Sequence, residues 1–300
     1  MLAEQSCYGS TMLELALRTL PCALAIVLLG SAPAWAEEPP ADLPAGDLPD
    51  DEPIPELPVV EATVDPILEL LGQAANPGIP ESQGQRFFDA LVARGATALP
   101  SLTRLFRTRD SSDRENWVAA RAIGRIGGEG ARRSLEAGLE SPRVITRLGA
   151  IAGLRTTADK QSAPALERAL FDQAMTVRAA AADALGELGL RRSAKPLSRA
   201  LDLPANFHQG RSLFVRRHMV QALGSIGSIS GMDALIGALS DADPEVSMAA
   251  LLALRQTTGM NFRSSSVLSG SPVSDQDIEA WTAWWSKRRA GESSNAGTAN

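Results

Sequence analysis

Residues 177–189 read VRAAAADALGELG and residues 215–227 read VRRHMVQALGSIG. The two stretches share one spacing, Val177/Leu185/Gly186/Leu188 against Val215/Leu223/Gly224/Ile226, and each runs on into a second stretch, SAKPLSRALD or GMDALIGALSD. A third copy stands at Val246/Leu254 and a fourth ends at Ile123-Gly124-Arg125-Ile126-Gly127. A fainter copy covers Arg143–Leu154 and continues into Ala163-Pro164-Ala165-Leu166. Taking Ile123, Ile151, Leu185, Leu223 and Leu254 as equivalents gives separations of 28, 34, 38 and 31 residues. Self-similarity at such a period marks stacked supersecondary units.

Each unit reads as a pair of helices. The first stretch is rich in alanine and places its apolar residues at helical spacing, so neighbouring helices can approach closely. Gly127, Gly189 and Gly227 follow the last apolar residue, where a left-handed helix end favours glycine. The second stretch has apolar residues three and four apart, as in Ala194, Leu197 and Leu201. No strand-like alternation of useful length occurs. One such hairpin cannot bury its apolar face alone, so stability comes from stacking on neighbours. The fold class is all-α, a right-handed α-solenoid of about five to six helical hairpins over residues 66–273.

These residues resemble HEAT repeats, in the short variety known as phycobilisome-lyase HEAT-like repeats. That pattern is roughly D-x-x-V-R-x-x-A-A-x-A-L-G-x-[IL]-G followed by A-x-x-L-x-x-x-L. The copies at Val177 and Val215 match it well. Coverage runs over about residues 85–262, with five clear copies and a degenerate opening one at Phe87–Phe106. The signatures of tetratricopeptide and ankyrin repeats are missing. The resemblance implies a fold strongly and a function hardly at all, because such repeats serve unrelated binding tasks. It also implies that Arg178 and Arg216 brace the stack and that second helices line the concave surface. Phycobilin lyases, for which the repeat is named, attach chromophores to cysteines of antenna subunits. A lyase-like enzyme is therefore a remote alternative.

The ends of the chain differ from the repeats. Residues 1–36 read as a secretory leader: Arg18 is its only basic residue, Leu20–Leu29 is apolar, and Ala34-Trp35-Ala36 suits cleavage after Ala36. An apolar run of about ten residues is too short to cross a bilayer, which needs about twenty. Both cysteines, Cys7 and Cys22, lie in this leader, so an exported, periplasmic or extracellular mature chain has no thiol to oxidise. Residues 37–65 hold ten Asp or Glu, seven Pro and no Lys or Arg, a composition that favours an extended, unfolded linker. At the other end Ser274 and Asp277 suit a helix start. Ile278, Trp281, Trp284 and Trp285 then fall at helical spacing over 274–290, ahead of a disordered tail, 291–300. The preferred reading is a cap that buries its tryptophans on the last repeat; a ligand cage or carbohydrate platform is the alternative. The ending L-x-x-x-T-G-x-x-F then W-x-x-W-W (Leu254, Thr258, Gly259, Phe262) is similar to that of many exported bacterial HEAT-like proteins.

Catalytic equipment is thin. Gly127-Gly128-Glu129-Gly130 follows no strand and lacks the third glycine of a dinucleotide loop. Gly227-Ser228-Ile229-Ser230-Gly231 has isoleucine where a nucleophile elbow needs serine. His208 and His218 have no obvious carboxylate partner in sequence, and Asp241/Asp243 read as helix caps. The chain is therefore expected to be no enzyme, with no cofactor and no metal.

Charge is informative once segmented. The whole chain carries a net −6, yet residues 66–300 carry 28 basic and 23 acidic side chains, and residues 86–217 carry 23 and 13. Aligning second helices on Leu102, Leu166 and Leu197 makes Arg104, Arg168 and Arg199 equivalent. Arg133 likewise matches Lys195, and Lys160 matches Arg191. Arg191, Lys195 and Arg199 are spaced by four and share a helix face. The expected site is a basic stripe along the inner face of the first four or so repeats, which the acidic arm could itself occupy. The alternative is a set of solvated arginines. A second candidate patch is Phe207, His208 and Arg211 in the long connection Leu203–Leu213, since insertions in repeats cluster on one face. The partner implied is an extended or acidic protein segment bound by a monomeric scaffold, with a polyanion or envelope surface as the alternative. Nucleic acid and a transmembrane segment are not expected.

Overall fold

The computed structural model describes residues 65–106, 108, 111–262 and 272–296, with side chains as far as residue 290. The leader, all of the acidic arm except Asp65, and the last four residues lie outside this range. The chain divides between Val59 and Val60, and every described residue belongs to the second unit.

Helix α1 (Pro66–Ala75) precedes five helical pairs. These are α2 (Glu81–Ala93) with α3 (Leu99–Leu105), α4 (Asp113–Ile126) with α5 (Gly128–Gly138), α6 (Val144–Thr157) with α7 (Ala163–Ala169), α8 (Met175–Leu188) with α9 (Ala194–Leu201), and α10 (Phe214–Ile226) with α11 (Met232–Ala238). Helix α12 (Pro244–Thr258) opens a further unit, and α13 (Asp275–Ala296) closes the described chain. This is an all-α solenoid.

The first helices form one layer, with α4, α6, α8, α10 and α12 side by side, and the second helices α5, α7, α9 and α11 each pack against the first helix of the following repeat. Leu135, Leu154, Leu166, Leu185, Leu197, Leu223 and Leu235 are buried in the core. Small residues let the first helices meet closely. A Cβ placed on Gly124 would stand 2.7 Å from the Gly153 carbonyl oxygen, and one on Gly153 would stand 2.7 Å from that of Ala120. Helices α4 and α6 thus touch backbone to backbone there. Gly189 and Gly227 end their helices in the left-handed conformation, with φ of 63° and 61°. Gly127 departs from that expectation, pairing φ 70° with ψ −171°, a combination that only glycine takes without strain.

Three arginines tie each repeat to the next. Arg178 donates from Nη1 to the carbonyls of Asp172 (2.8 Å) and Gln173 (3.0 Å). Arg216 donates from Nη1 to Leu201 O (2.6 Å), and from Nε and Nη2 to Asp241 (3.1 and 2.8 Å). Arg147 does the same with the carbonyls of Ser141 (2.9 Å) and Pro142 (3.2 Å) and the carboxylate of Asp172. The position equivalent to Leu185 is therefore Leu154, seven residues beyond Arg147, and not Ile151. The separations become 31, 31, 38 and 31 residues. Both residues are buried one turn apart on α6, so apolar spacing alone does not distinguish them. Asp241, read from sequence as a helix cap, belongs to this brace, while Asp243 caps α12 by accepting from Glu245 N at 2.9 Å.

The seven extra residues of the longer repeat make the one described exception to an all-helical chain. After a 3-10 turn (Pro204–Asn206), β1 (Phe207–His208) pairs antiparallel with β2 (Arg211–Ser212). Gln209 and Gly210 link them with φ of 49° and 75°, as a tight hairpin turn requires. Asn206 is buried; its Oδ1 accepts from Arg178 Nε (2.9 Å), and its Nδ2 donates to Ala200 O (2.7 Å). It takes the acceptor place that an aspartate fills for Arg147 and Arg216.

The cap forms as a helix. Ser274 Oγ accepts from Asp277 N at 3.2 Å, and Asp277 Oδ2 accepts from Ser274 N at 3.2 Å. The helix runs to Ala296, beyond the expected boundary at 290. Trp281 and Trp285 are buried, Phe262 meets the Trp281 ring edge-on at 4.7 Å, and Trp285 Nε1 donates to Asp233 of α11 at 2.7 Å. Trp281 and Trp285 are thus used in packing, and Trp284 is half-buried.

Candidate functional site

Among the described residues, α7, α9 and the turns before them carry a group of cations without carboxylate partners. Leu166 and Leu197 point into the core at equivalent positions, which sets Arg168 and Arg199 on the outside at equivalent positions too. On α9, burial of Ala194, Leu197, Ala200 and Leu201 leaves Lys195 and Arg199 exposed on one face. The 3-10 turns Lys160–Ser162 and Arg191–Ser193 place Lys160 and Arg191 at the start of each second helix. Two contacts hold these segments together. Arg192 Nη2 donates to the Lys160 carbonyl at 3.3 Å, and Ser193 Oγ donates to Glu167 Oε1 at 2.7 Å. Among the described residues, Lys160, Arg168, Arg191, Lys195 and Arg199 have no carboxylate within salt-bridge distance. Arg168 makes one long bond, 3.4 Å, to the Pro164 carbonyl of its own helix.

The stripe expected along the first four repeats contracts to these two helices. Arg104 on α3 is bound to Asp65 at 3.0 Å, and Arg133 on α5 is ion-paired with Glu129. On α5 the position equivalent to Arg168 is Ala137, and on α11 the equivalents of Lys195 and Arg199 are Asp233 and Gly237. The cationic face therefore has a neutral edge on α5 and an acidic one on α11. Asp65 accepts from Ser101 Oγ at 2.6 Å. That bond, with smaller help from the Ile67 amide and Arg104, holds its carboxyl below the ordinary 3.8 despite some burial.

Phe207, His208 and Arg211 lie on the hairpin between α9 and α10 and are separate from that face in the chain's layout. The Arg216 guanidinium sits 4.2 Å from the Phe207 ring centroid, so this ring serves the brace. His208 and Arg211 pair across the hairpin and are exposed.

Other residues were not legible as partners. His218 Nδ1 lies 2.8 Å from Asp183 Oδ1 on α8, a bond between residues 35 apart in sequence. Arg155–Glu187 and Arg217–Glu245 bridge neighbouring first helices in the same way. Their signal was the repeat itself: stacking places side chains one period apart next to each other. No group of three or more His, Cys, Asp or Glu able to hold a metal occurs among the described residues.

Stacked helical pairs, buried arginine braces and an open charged face define an α-helical repeat scaffold. The family model for HEAT repeats matches residues 134–208 and 208–271, so this part of the chain is built of HEAT repeats. No curated protein matches the sequence. Among solved structures, the complex of CpcE and CpcF of phycocyanin lyase from Nostoc sp. PCC7120 is 24% identical, with a TM-score of 0.46. The match covers 54% of this chain and 65% of that one, so less than two thirds of the lyase chain is spanned. Human deoxyhypusine hydroxylase in complex with glycerol is 16% identical (TM-score 0.37, 65% and 96% covered). An engineered protein is 18% identical (TM-score 0.40, 66% and 93% covered).

Proposed function

We propose that this protein is an exported, non-catalytic scaffold that binds an extended acidic segment of a partner protein on the cationic face of α7 and α9. The carrying observation is the set Lys160, Arg168, Arg191, Lys195 and Arg199, exposed on adjacent second helices without carboxylate partners among the described residues. Some other exposed arginines, such as Arg133 and Arg155, are matched by an acid. Unneutralised charge on a rigid surface attracts an acidic ligand and speeds its encounter. A repeat surface offers a long open track that suits an extended chain better than a small molecule. Support for export is the leader composition of residues 1–36. Among the described residues no helix is long and apolar enough to cross a membrane.

A labelled glutamate-rich peptide, titrated against the full chain, tests the reading. Lys195→Glu with Arg199→Glu is expected to weaken binding at least about tenfold; unchanged affinity overturns it. Heparin titrated in parallel tests the polyanion alternative. A shallow salt dependence for the peptide supports a packed protein segment, and a steep one shared with heparin favours the polyanion. Sequencing the amino terminus of the mature protein tests export, which a retained leader would refute.

A further inference from the structure

A second candidate site lies in the other helix layer, where α2 meets α4. An open cleft of about 640 Å³ is formed there by residues of α2, α4, the α1–α2 connection and Ile145 of α6. Apolar side chains in its lining include Ile79, Phe88, Trp117, Val118 and Ile145. Trp117, the largest side chain on α4, remains 38% exposed. Arg114 and Arg121 stand three residues before and four after it, hence on the same helix face. Neither has a carboxylate partner among the described residues. The Arg121 guanidinium lies 5.1 Å from the Phe88 ring centroid, so it is oriented by an aromatic face while its charge stays unneutralised. Two acids are at the rim. Asp113 is ion-paired to Arg143, just before α6, and Glu81 opens α2.

The volume is that of a usual ligand cleft, and apolar and polar groups share the lining about equally. The two arginines are about 10 Å apart along the helix, at about 1.5 Å per residue. An extended peptide advances about 3.3 Å per residue and turns alternate side chains to the same face, so carboxylates four residues apart share a face about 13 Å apart, within reach of the two long arginine side chains, with the residue midway between them on that face too. We infer that this cleft binds an extended peptide in which an apolar side chain, seated on Trp117, stands between two carboxylates held by Arg114 and Arg121. This site lies on first helices and does not depend on the α7–α9 face.

The test uses the full chain and the acetylated, amidated peptide Glu-Gly-Phe-Gly-Glu, with Gln-Gly-Phe-Gly-Gln and Glu-Gly-Ser-Gly-Glu as controls, followed by calorimetry and by the Trp117 indole N–H resonance. Trp117→Phe assigns that resonance by its disappearance. Glu-Gly-Phe-Gly-Glu is expected to bind and to move it. Each control, and Arg114→Glu or Arg121→Glu against the parent peptide, is expected to bind at least about tenfold more weakly. Lys195→Glu with Arg199→Glu is expected to change nothing here, which separates this cleft from the α7–α9 face. Absence of binding, a Trp117 signal that stays still on binding, or equal affinity for the Ser or Gln peptide overturns the inference. Both arginine variants are at exposed positions, and Arg114→Gln and Arg121→Gln repeat the comparison without reversing charge.

Discussion

Arg147 and Asp172, 25 residues apart, are joined by two bonds of 2.8 Å, from Nε and Nη2 to the two carboxylate oxygens. Both side chains are nearly buried, and the remaining Nη1 donates to the carbonyls of Ser141 and Pro142. The pair closes one repeat and opens the next, and Arg216 with Asp241 repeats it further along the stack. Removing one partner of such a buried pair leaves an uncompensated charge and costs about 3–5 kcal/mol. Asp172→Ala is therefore expected to lower stability by about 3 kcal/mol, measured by urea unfolding followed by circular dichroism. Glu187→Ala, which breaks the exposed pair with Arg155, is expected to cost less than about 1 kcal/mol. Equal effects would refute the distinction.

Asn206 carries the corresponding duty in the longer repeat without a charge. It satisfies Arg178 Nε and the Ala200 carbonyl together. Asn206→Ala leaves the buried Arg178 Nε unpaired, while the Ala200 carbonyl keeps the Leu203 amide, with an expected loss of about 1–3 kcal/mol. Asn206→Asp restores a charged acceptor for Arg178 but removes the donor to Ala200, so it is expected to recover part of that loss. A hairpin-tip change at His208, which is exposed, is expected to shift the unfolding midpoint little.

Where α4 and α6 touch, no side chain fits. A Cβ on Gly153 would lie 2.6 Å from Leu135 Cδ2 as well as 2.7 Å from the Ala120 carbonyl oxygen. Backbone cannot retreat as a side-chain tip can, so Gly153→Ala is expected to destabilise by about 1–3 kcal/mol through overpacking. Gly72 has open space around its missing Cβ and lies within α1, where alanine is the better helix former by about 1 kcal/mol. Gly72→Ala is expected to stabilise. Thermal melts of the two variants should move in opposite directions.

Helix pairs, glycine ends and the tryptophan cap were legible because each is a local pattern: apolar spacing, a breaker after the last apolar residue, a hydroxyl three residues before an acid. The register of α6 was not, because Ile151 and Leu154 are both apolar and only the bonds of Arg147 separate them. Arg104 and Arg133 read as free cations, since their neutralisation depends on which acid lies within reach. Asp65 reaches Arg104 from 39 residues away, and Glu129 reaches Arg133 across a single helical turn. The His218–Asp183 bond and the cleft around Trp117 need the stack itself, because each joins residues from different repeats.

Asp65 offers the clearest pH signature. It accepts from Ser101 Oγ, the Ile67 amide and Arg104, and so caps α1 while tying it to α3. The Ser101 bond is the largest cause of a carboxyl held below its ordinary 3.8. A folded value below the unfolded one means that the unfolded chain binds the proton more readily. The contribution is then complete above the unfolded value and is lost as pH falls through the folded one. Asp65→Asn keeps the size of the group but cannot ionise. The stability gap between parent and variant should be constant above about pH 5 and close as pH falls towards about 2. Urea midpoints across that range measure it. A gap that persists undiminished in acid would show that the charge on Asp65 is not what ties α1 to α3.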